Sequence, residues 1–182
     1  LEVDSDGEIS LKNHPELHQV PYILTPSFDS VVSAVQTIKK EKPGYKTLII
    51  DTLSGLQEAQ RLEEAGVTLS DKAWKMNEHI YTKNNFKINT LVRTLIELKD
   101  TLGMNIIFTV HLKEEVIGAQ ENRRVLLRPD LSPALLKAVS AHVNAFFALQ
   151  QEGNERQLVV QGNKLLMANS RYKFDKSILK NP

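Results

Sequence analysis

Lys46-Thr47-Leu48-Ile49-Ile50-Asp51-Thr52 is the stretch on which the fold of this chain turns. Three successive large aliphatic residues without polar alternation predict a strand covered on both faces. An acid and then a hydroxyl residue end the run, and Leu53 to about Ala65 continues as a helical pattern stopped by Gly66. A strand leading directly into a helix is the building unit of α/β sheets, whose ligands bind at the carboxyl ends of the strands. Asp51 and Thr52 therefore stand on the edge where chemistry is expected.

Working outward, the N-terminal side begins with a short strand, Leu1 to Asp4, closed by the acidic turn Asp4-Ser5-Asp6-Gly7. Pro21 to Leu24 is an apolar patch. Ser27 or Asp29 caps a helix running to about Lys40, with Val31, Val32, Val35 and Ile38 on one face, and Pro43-Gly44 breaks it. On the C-terminal side, Ser70 caps a helix carrying Trp74 and Met76. A long helix follows from about Asn84 to Leu102, with Ile88, Leu91, Val92, Leu95 and Leu98 at helical spacing.

Asn105 to Val110 is a second apolar strand, ending at His111. Between Lys113 and Asp130 lies a polar hairpin whose tip is Glu121-Asn122-Arg123-Arg124. Ser132-Pro133 opens a helix through about Val143. Ala145 to Leu149, Gln157 to Val160 and Leu165 to Ala168 complete the chain as strands. This order predicts an α/β sheet with a parallel centre and an antiparallel flank.

At 182 residues and 41% hydrophobic, the chain suits one substantial core and a single domain over residues 1–182. Lys+Arg number 23 against 22 Asp+Glu, so any nucleic-acid contact must rest on local basic clusters. The absence of cysteine excludes a disulfide scaffold and thiolate metal sites. No apolar run approaches the roughly 20 residues of a membrane span, and no signal-peptide pattern is present. The expectation is a soluble intracellular protein without a membrane partner. The chain has no initiating Met, begins inside a strand and ends on Lys180-Asn181-Pro182, the pattern of an N-terminally truncated piece.

Several residues carry chemistry by position. Asp51 fits a carboxylate that holds magnesium through water beside a nucleotide, and equally fits an Asp that caps a helix. Thr52 would support the same site by hydrogen bonding. Asp4 and Asp6 occupy the analogous edge after the first strand, where an acid orients an attacking water; acid-rich turns also arise for purely local reasons. His111 places a third polar group on that edge. No segment reads G-x-x-x-x-G-K-[ST], the loop that cradles phosphates.

Pro43-Gly44-Tyr45-Lys46-Thr47 looks like the end of such a loop, but it leads into a strand and lacks the helix N-terminus that binds phosphate. His14 and His18 have metal-pair spacing, yet Pro15 disrupts the helix they need. Trp74 reads as a packing anchor and Glu58 to Glu64 as the wet face of a helix.

Leu1-Glu2-Val3-Asp4-Ser5-Asp6-Gly7, Leu48-Ile49-Ile50-Asp51-Thr52-Leu53 and Phe108-Thr109-Val110-His111-Leu112-Lys113 together resemble three successive motifs of RecA-type P-loop ATPases. The likeness is strongest to the small phage RecA-like ATPases of single-strand annealing and recombination, and it covers nearly the whole chain. It implies a mostly parallel central sheet flanked by helices, with the first strand, phosphate loop and helix of the family preceding Leu1. By the same likeness Asp51 matches the magnesium-water carboxylate, Asp6 the water-activating acid (usually Glu in RecA) and His111 the polar sensor (Gln in RecA). Arg171 matches a trans-acting arginine, with Asn169 where a Lys is usual.

The resemblance further implies ATP and magnesium as cofactors, and a ring or filament of identical subunits with nucleotide at the interface. Single-stranded DNA is the implied partner, contacted by Lys113, Arg123, Arg124 and Arg128. The implied setting is the bacterial cytoplasm, with a phage or prophage gene. A RecA-fold module without a phosphate loop, serving assembly or DNA binding without catalysis, is the alternative. Either way, these residues alone are not expected to hydrolyse ATP.

Overall fold

In a computed structural model of the chain, residues 20–23, 27–67, 78–118, 123–163, 166–176 and 178–180 are described. The expected strand at residues 1–4, its acidic turn with Asp4 and Asp6, His14, His18 and the helix with Trp74 lie outside them. The chain divides into two compact units, Leu1–His111 with Leu131–Leu135, and Leu112–Asp130 with Leu136–Pro182.

In the first unit, helix α1 spans Phe28–Glu41 and is capped by Ser27, whose side chain accepts from the Ser30 N–H. Strand β1, Thr47–Ile50, leads into helix α2, Leu53–Ala65. Gly66 ends α2 at φ 65°, a left-handed conformation that costs glycine little. Helix α3 spans Glu78–Leu102, beginning earlier than the apolar spacing predicts. Its first turns are polar, and Lys83 reaches back to Glu64 of α2 at 3.2 Å. Strand β2, Asn105–Phe108, then pairs parallel with β1 in the register Leu48↔Ile106 and Ile50↔Phe108. Among the described residues α2 and α3 lie between the two strands, in the crossover that a parallel pair requires.

Val31, Val35, Ile50, Leu53, Leu56, Ile88, Leu95 and Leu98 are almost wholly buried and form this unit's core. The burial of β1 alternates: Leu48 and Ile50 are inside, whereas Ile49 is 44% exposed and its β2 neighbour Ile107 is 47% exposed. This corrects the expectation of a strand covered on both faces. An unbroken aliphatic run permits two-sided burial without enforcing it, because period-2 geometry sends Ile49 away from the residues flanking it. Among the described residues β1 and β2 form the one parallel pair of strands, with an isolated parallel bridge elsewhere between Leu127 and Leu166.

In the second unit, β3 (Leu112–Ile117) and β4 (Arg124–Pro129) form the expected antiparallel ribbon. Helix α4, Pro133–His142, begins in the first unit and continues into the second. Strand β5 (Ala145–Phe146) pairs with β8 (Asn169–Ser170). Strands β6 (Ala148–Glu152), β7 (Glu155–Val159) and β9 (Ile178–Lys180) make a three-stranded antiparallel sheet. Of the strand expected over 165–168, the described residues begin at Leu166, which makes a single bridge to Leu127, and Met167 N–H donates to the Leu127 carbonyl at 3.1 Å. Ala148, Val159 and Leu166 form a small core with Leu127 and Ala168 against it. Among the described residues no helix is long and apolar enough to cross a membrane.

Candidate functional site

The parallel register of β1 and β2 extends one residue past both strands. Thr109 N–H donates to the Ile50 carbonyl at 3.1 Å, which sets Thr109 beside Asp51. The Thr109 hydroxyl donates to Asp51 Oδ1. The Thr109 carbonyl in turn accepts from Leu53 N–H, the first residue of α2, at 2.9 Å. Thr109 thus fastens the strand end, the acid and the following helix together. The Asp51–Thr52 peptide bond is cis.

Thr52 is buried and serves as the N-cap of α2, its side chain accepting from Gly55 N–H at 2.9 Å. Capping uses an acceptor lone pair of the hydroxyl, which still has a proton to donate. Ser54 is held at the same edge, its hydroxyl accepting from His111 N–H at 3.1 Å. That bond positions the His111 backbone while the imidazole stays exposed. Asp51, Thr52, Ser54, Thr109 and His111 therefore gather where β1 and β2 end.

Thr109 and Ser54 are the functional candidates that sequence reasoning missed. The signal for Thr109 was available: if Ile50 pairs with Phe108, the next residues must meet, and both are polar. Finding it required the register, which neither strand discloses alone.

Among the described residues no three His, Cys, Asp or Glu side chains group as a direct metal cage. The donor set fits a different arrangement. Magnesium keeps most of its waters and is commonly held by one or two carboxylates together with substrate phosphates. Asp51 supplies one half-buried carboxylate, oriented through Oδ1.

The remaining candidates lie in the second unit. Lys113 pairs with Asp130 at 2.6 Å, and Arg128 pairs with Glu115 across the ribbon. Arg123 and Arg124 are exposed at its tip, without an acid partner among the described residues. Arg171 donates its guanidinium to the Ala141 carbonyl at 3.1 Å, near the C-terminal end of α4, where a cation also meets the helix dipole favourably.

Glu64 was expected on a wet helix face, yet its side chain is only 11% exposed. Packing of α3 on α2 encloses it between Lys83 and Lys87. The hydrogen bond from Lys87 outweighs the opposing effect of burial, and with Lys83 it holds the carboxyl below its ordinary value. An apolar groove of about 240 Å³ lies between α1 and α3, lined by Phe28, Val32, Val35, Phe86 and Leu91, and it includes none of the strand-end residues.

Comparison with known proteins adds a family. No curated protein matches the chain. A model of the AAA domain matches residues 4–172, a span that includes Asp51, Thr109, His111 and Arg171. AAA domains are nucleotide-binding, ATPase-type domains of the P-loop α/β class, and with this match over most of its length the chain belongs to the AAA domain family.

Proposed function

We propose that residues 1–182 form a single RecA-like ATPase domain of a phage-type recombination or single-strand annealing protein, coupling ATP and magnesium to single-stranded DNA. The observation that carries this is the Asp51–Thr109 pair at the ends of two adjoining parallel strands, directly before the capped start of α2. It stands where an open α/β sheet takes its ligand, and membership of the AAA domain family supports the nucleotide.

In this reading Asp51 holds a magnesium-bound water, and Thr52 hydrogen-bonds within the same site. Magnesium, when bound, neutralises charge developing on the phosphate oxygens. His111 reads the terminal phosphate through its exposed ring. Asp6 positions the attacking water and Asp4 supports it. Arg171 acts on a neighbouring subunit's nucleotide in a homo-oligomeric ring or filament, after leaving the Ala141 carbonyl. Lys113, Arg123, Arg124 and Arg128 contact DNA phosphates. The setting is the cytoplasm of a bacterial host, with the gene carried by a phage or prophage.

A second reading has its own support. Arg123 and Arg124 stand exposed at the ribbon tip without an acid partner among the described residues, which suits equally a RecA-fold assembly or DNA-binding subunit without catalysis. Magnesium-dependent ATP turnover by the full-length protein separates the two. The ATPase reading expects turnover that Asp51→Ala lowers by about a hundredfold or more, in line with losing a preorganised charge contact. Absence of turnover, or turnover indifferent to Asp51→Ala, would leave the non-catalytic reading.

A further inference from the structure

The second unit carries a surface that the proposed DNA contacts do not use. Residues Arg171-Tyr172-Lys173-Phe174-Asp175-Lys176 alternate cations with aromatic rings, with three cations to one acid. All six are exposed, and Tyr172 is 61% exposed. The segment is held against the sheet by Phe174, whose ring meets that of Phe147 edge to face, with centroids 5.8 Å apart and planes at 80°.

Phe147 immediately precedes β6, where Leu149 is 61% exposed. The register Leu149↔Leu158 and Gln151↔Arg156 puts Arg156 on the same sheet face as Leu149. Exposed aromatic and aliphatic groups thus meet at the Phe147–Phe174 contact, with Lys173 and Lys176 exposed on the Phe174 segment and Arg156 on the sheet face of Leu149.

Those three cations differ from the ribbon's. Lys113 and Arg128 are compensated by Asp130 and Glu115, whereas Arg156, Lys173 and Lys176 have no acid partner among the described residues. A polyanion gains affinity from uncompensated cations by releasing counterions, and unpaired bases gain it by stacking on exposed rings. A second copy docking through the same face in a two-fold contact would instead bring like charges together, and the head-to-tail contact proposed for Arg171 does not set this face against itself.

We infer that this face, built from Phe147, Tyr172 and Phe174 with Arg156, Lys173 and Lys176, is a binding platform for single-stranded nucleic acid. The inference rests on the single-strand partner proposed above and is independent of ATP chemistry. Bases stack on the rings while the cations follow the phosphates, without sequence readout.

Anisotropy of a fluorescent oligo-dT titrated with the full chain tests it. Tyr172→Ala is expected to weaken binding about tenfold, and Tyr172→Phe, which keeps the ring, to bind as the parent does. Lys173→Ala and Lys176→Ala should each lower the slope of log affinity against log salt by about 0.7. Circular-dichroism melts confirm that the variants fold, as the high exposure of Tyr172 leads one to expect. If Tyr172→Ala and Phe174→Ala bind normally while Arg123→Ala with Arg124→Ala loses binding, the platform is wrong and the ribbon carries the DNA. If the parent chain does not bind oligo-dT, the platform and the proposed partner both fall. If Tyr172→Ala alters only self-association in sedimentation, the face is a protein contact and the inference is overturned.

Discussion

Thr109, at the end of β2, donates its hydroxyl proton to the carboxylate of Asp51, at the end of β1. The acid that gives the strand its functional appearance is thus oriented by a residue 58 positions away in sequence. In the full-length protein, Thr109→Val should raise the magnesium concentration at half-maximal ATP turnover about fivefold, since hydrogen bonds to charged groups contribute roughly 1.5–3 kcal/mol and exposure lessens that. Thr109→Ser should restore the parent value. An unchanged magnesium requirement in Thr109→Val would show that the pair does not orient the acid for this purpose.

Thr52 caps α2 through Gly55 N–H. Replacement by Ala should cost about 1 kcal/mol in urea unfolding, whereas Ser should keep most of the stability. Equal losses for both substitutions would assign the effect to side-chain packing.

The two faces of β1 should respond differently to truncation. Ile50 is fully buried, so Ile50→Ala is expected to cost about 2–5 kcal/mol. Ile49 is 44% exposed, and Ile49→Thr should stay within about 0.5 kcal/mol. Comparable losses would mean that something covers Ile49 in solution.

Glu64 gives the first unit an acid-sensitive contact. Its folded-state pKa is lowered, first by Lys87 against the opposing effect of burial and then by Lys83, so the unfolded chain binds protons more readily. The stabilisation is complete above the ordinary glutamate pKa of the unfolded chain and is lost as pH falls through the lower folded value. Glu64→Gln should therefore be less stable than the parent at neutral pH, with the difference narrowing in acid. A difference that stays constant with pH in denaturant titrations would exclude this linkage.

Gly162 is required by close approach: a Cβ added there would collide with the backbone of Leu166 and Ala168. Its N–H also donates to the Ala168 carbonyl at 2.9 Å. Gly162→Ala should destabilise the second unit by about 1–3 kcal/mol, readable as earlier exchange of the β6–β7 amides. Unaltered exchange would show that the loop accommodates the methyl group.

The sequence disclosed those features that depend on neighbours along the chain. Ser27 as a cap, Gly66 as a stop, the β3–β4 ribbon and the α3 core spacing all follow from local chemistry. Features set by partners distant in sequence were hidden. Ile49 looks as buried as Ile50 until the strand's faces are assigned. Glu64 looks wet until Lys83 and Lys87 close over it. Asp51, Thr52 and His111 were legible as polar strand ends, while Thr109 and Ser54 emerged only with the register and the turn into α2. Lys113 and Arg128 lie between: the acids of their segment already dilute its charge in the sequence, but the pairing with Asp130 and Glu115 needed the ribbon's register.

The bond from Leu53 N–H to the Thr109 carbonyl also governs how this region tolerates insertions and deletions. Strand end, cap and first helical residue follow one another at 51, 52 and 53, with no slack between them. One extra residue would rotate α2 by about 100° relative to β1, turning Leu53 and Leu56 out of the core. Natural variation in chain length is therefore expected to fall elsewhere, keeping a constant interval from Asp51 to Leu56.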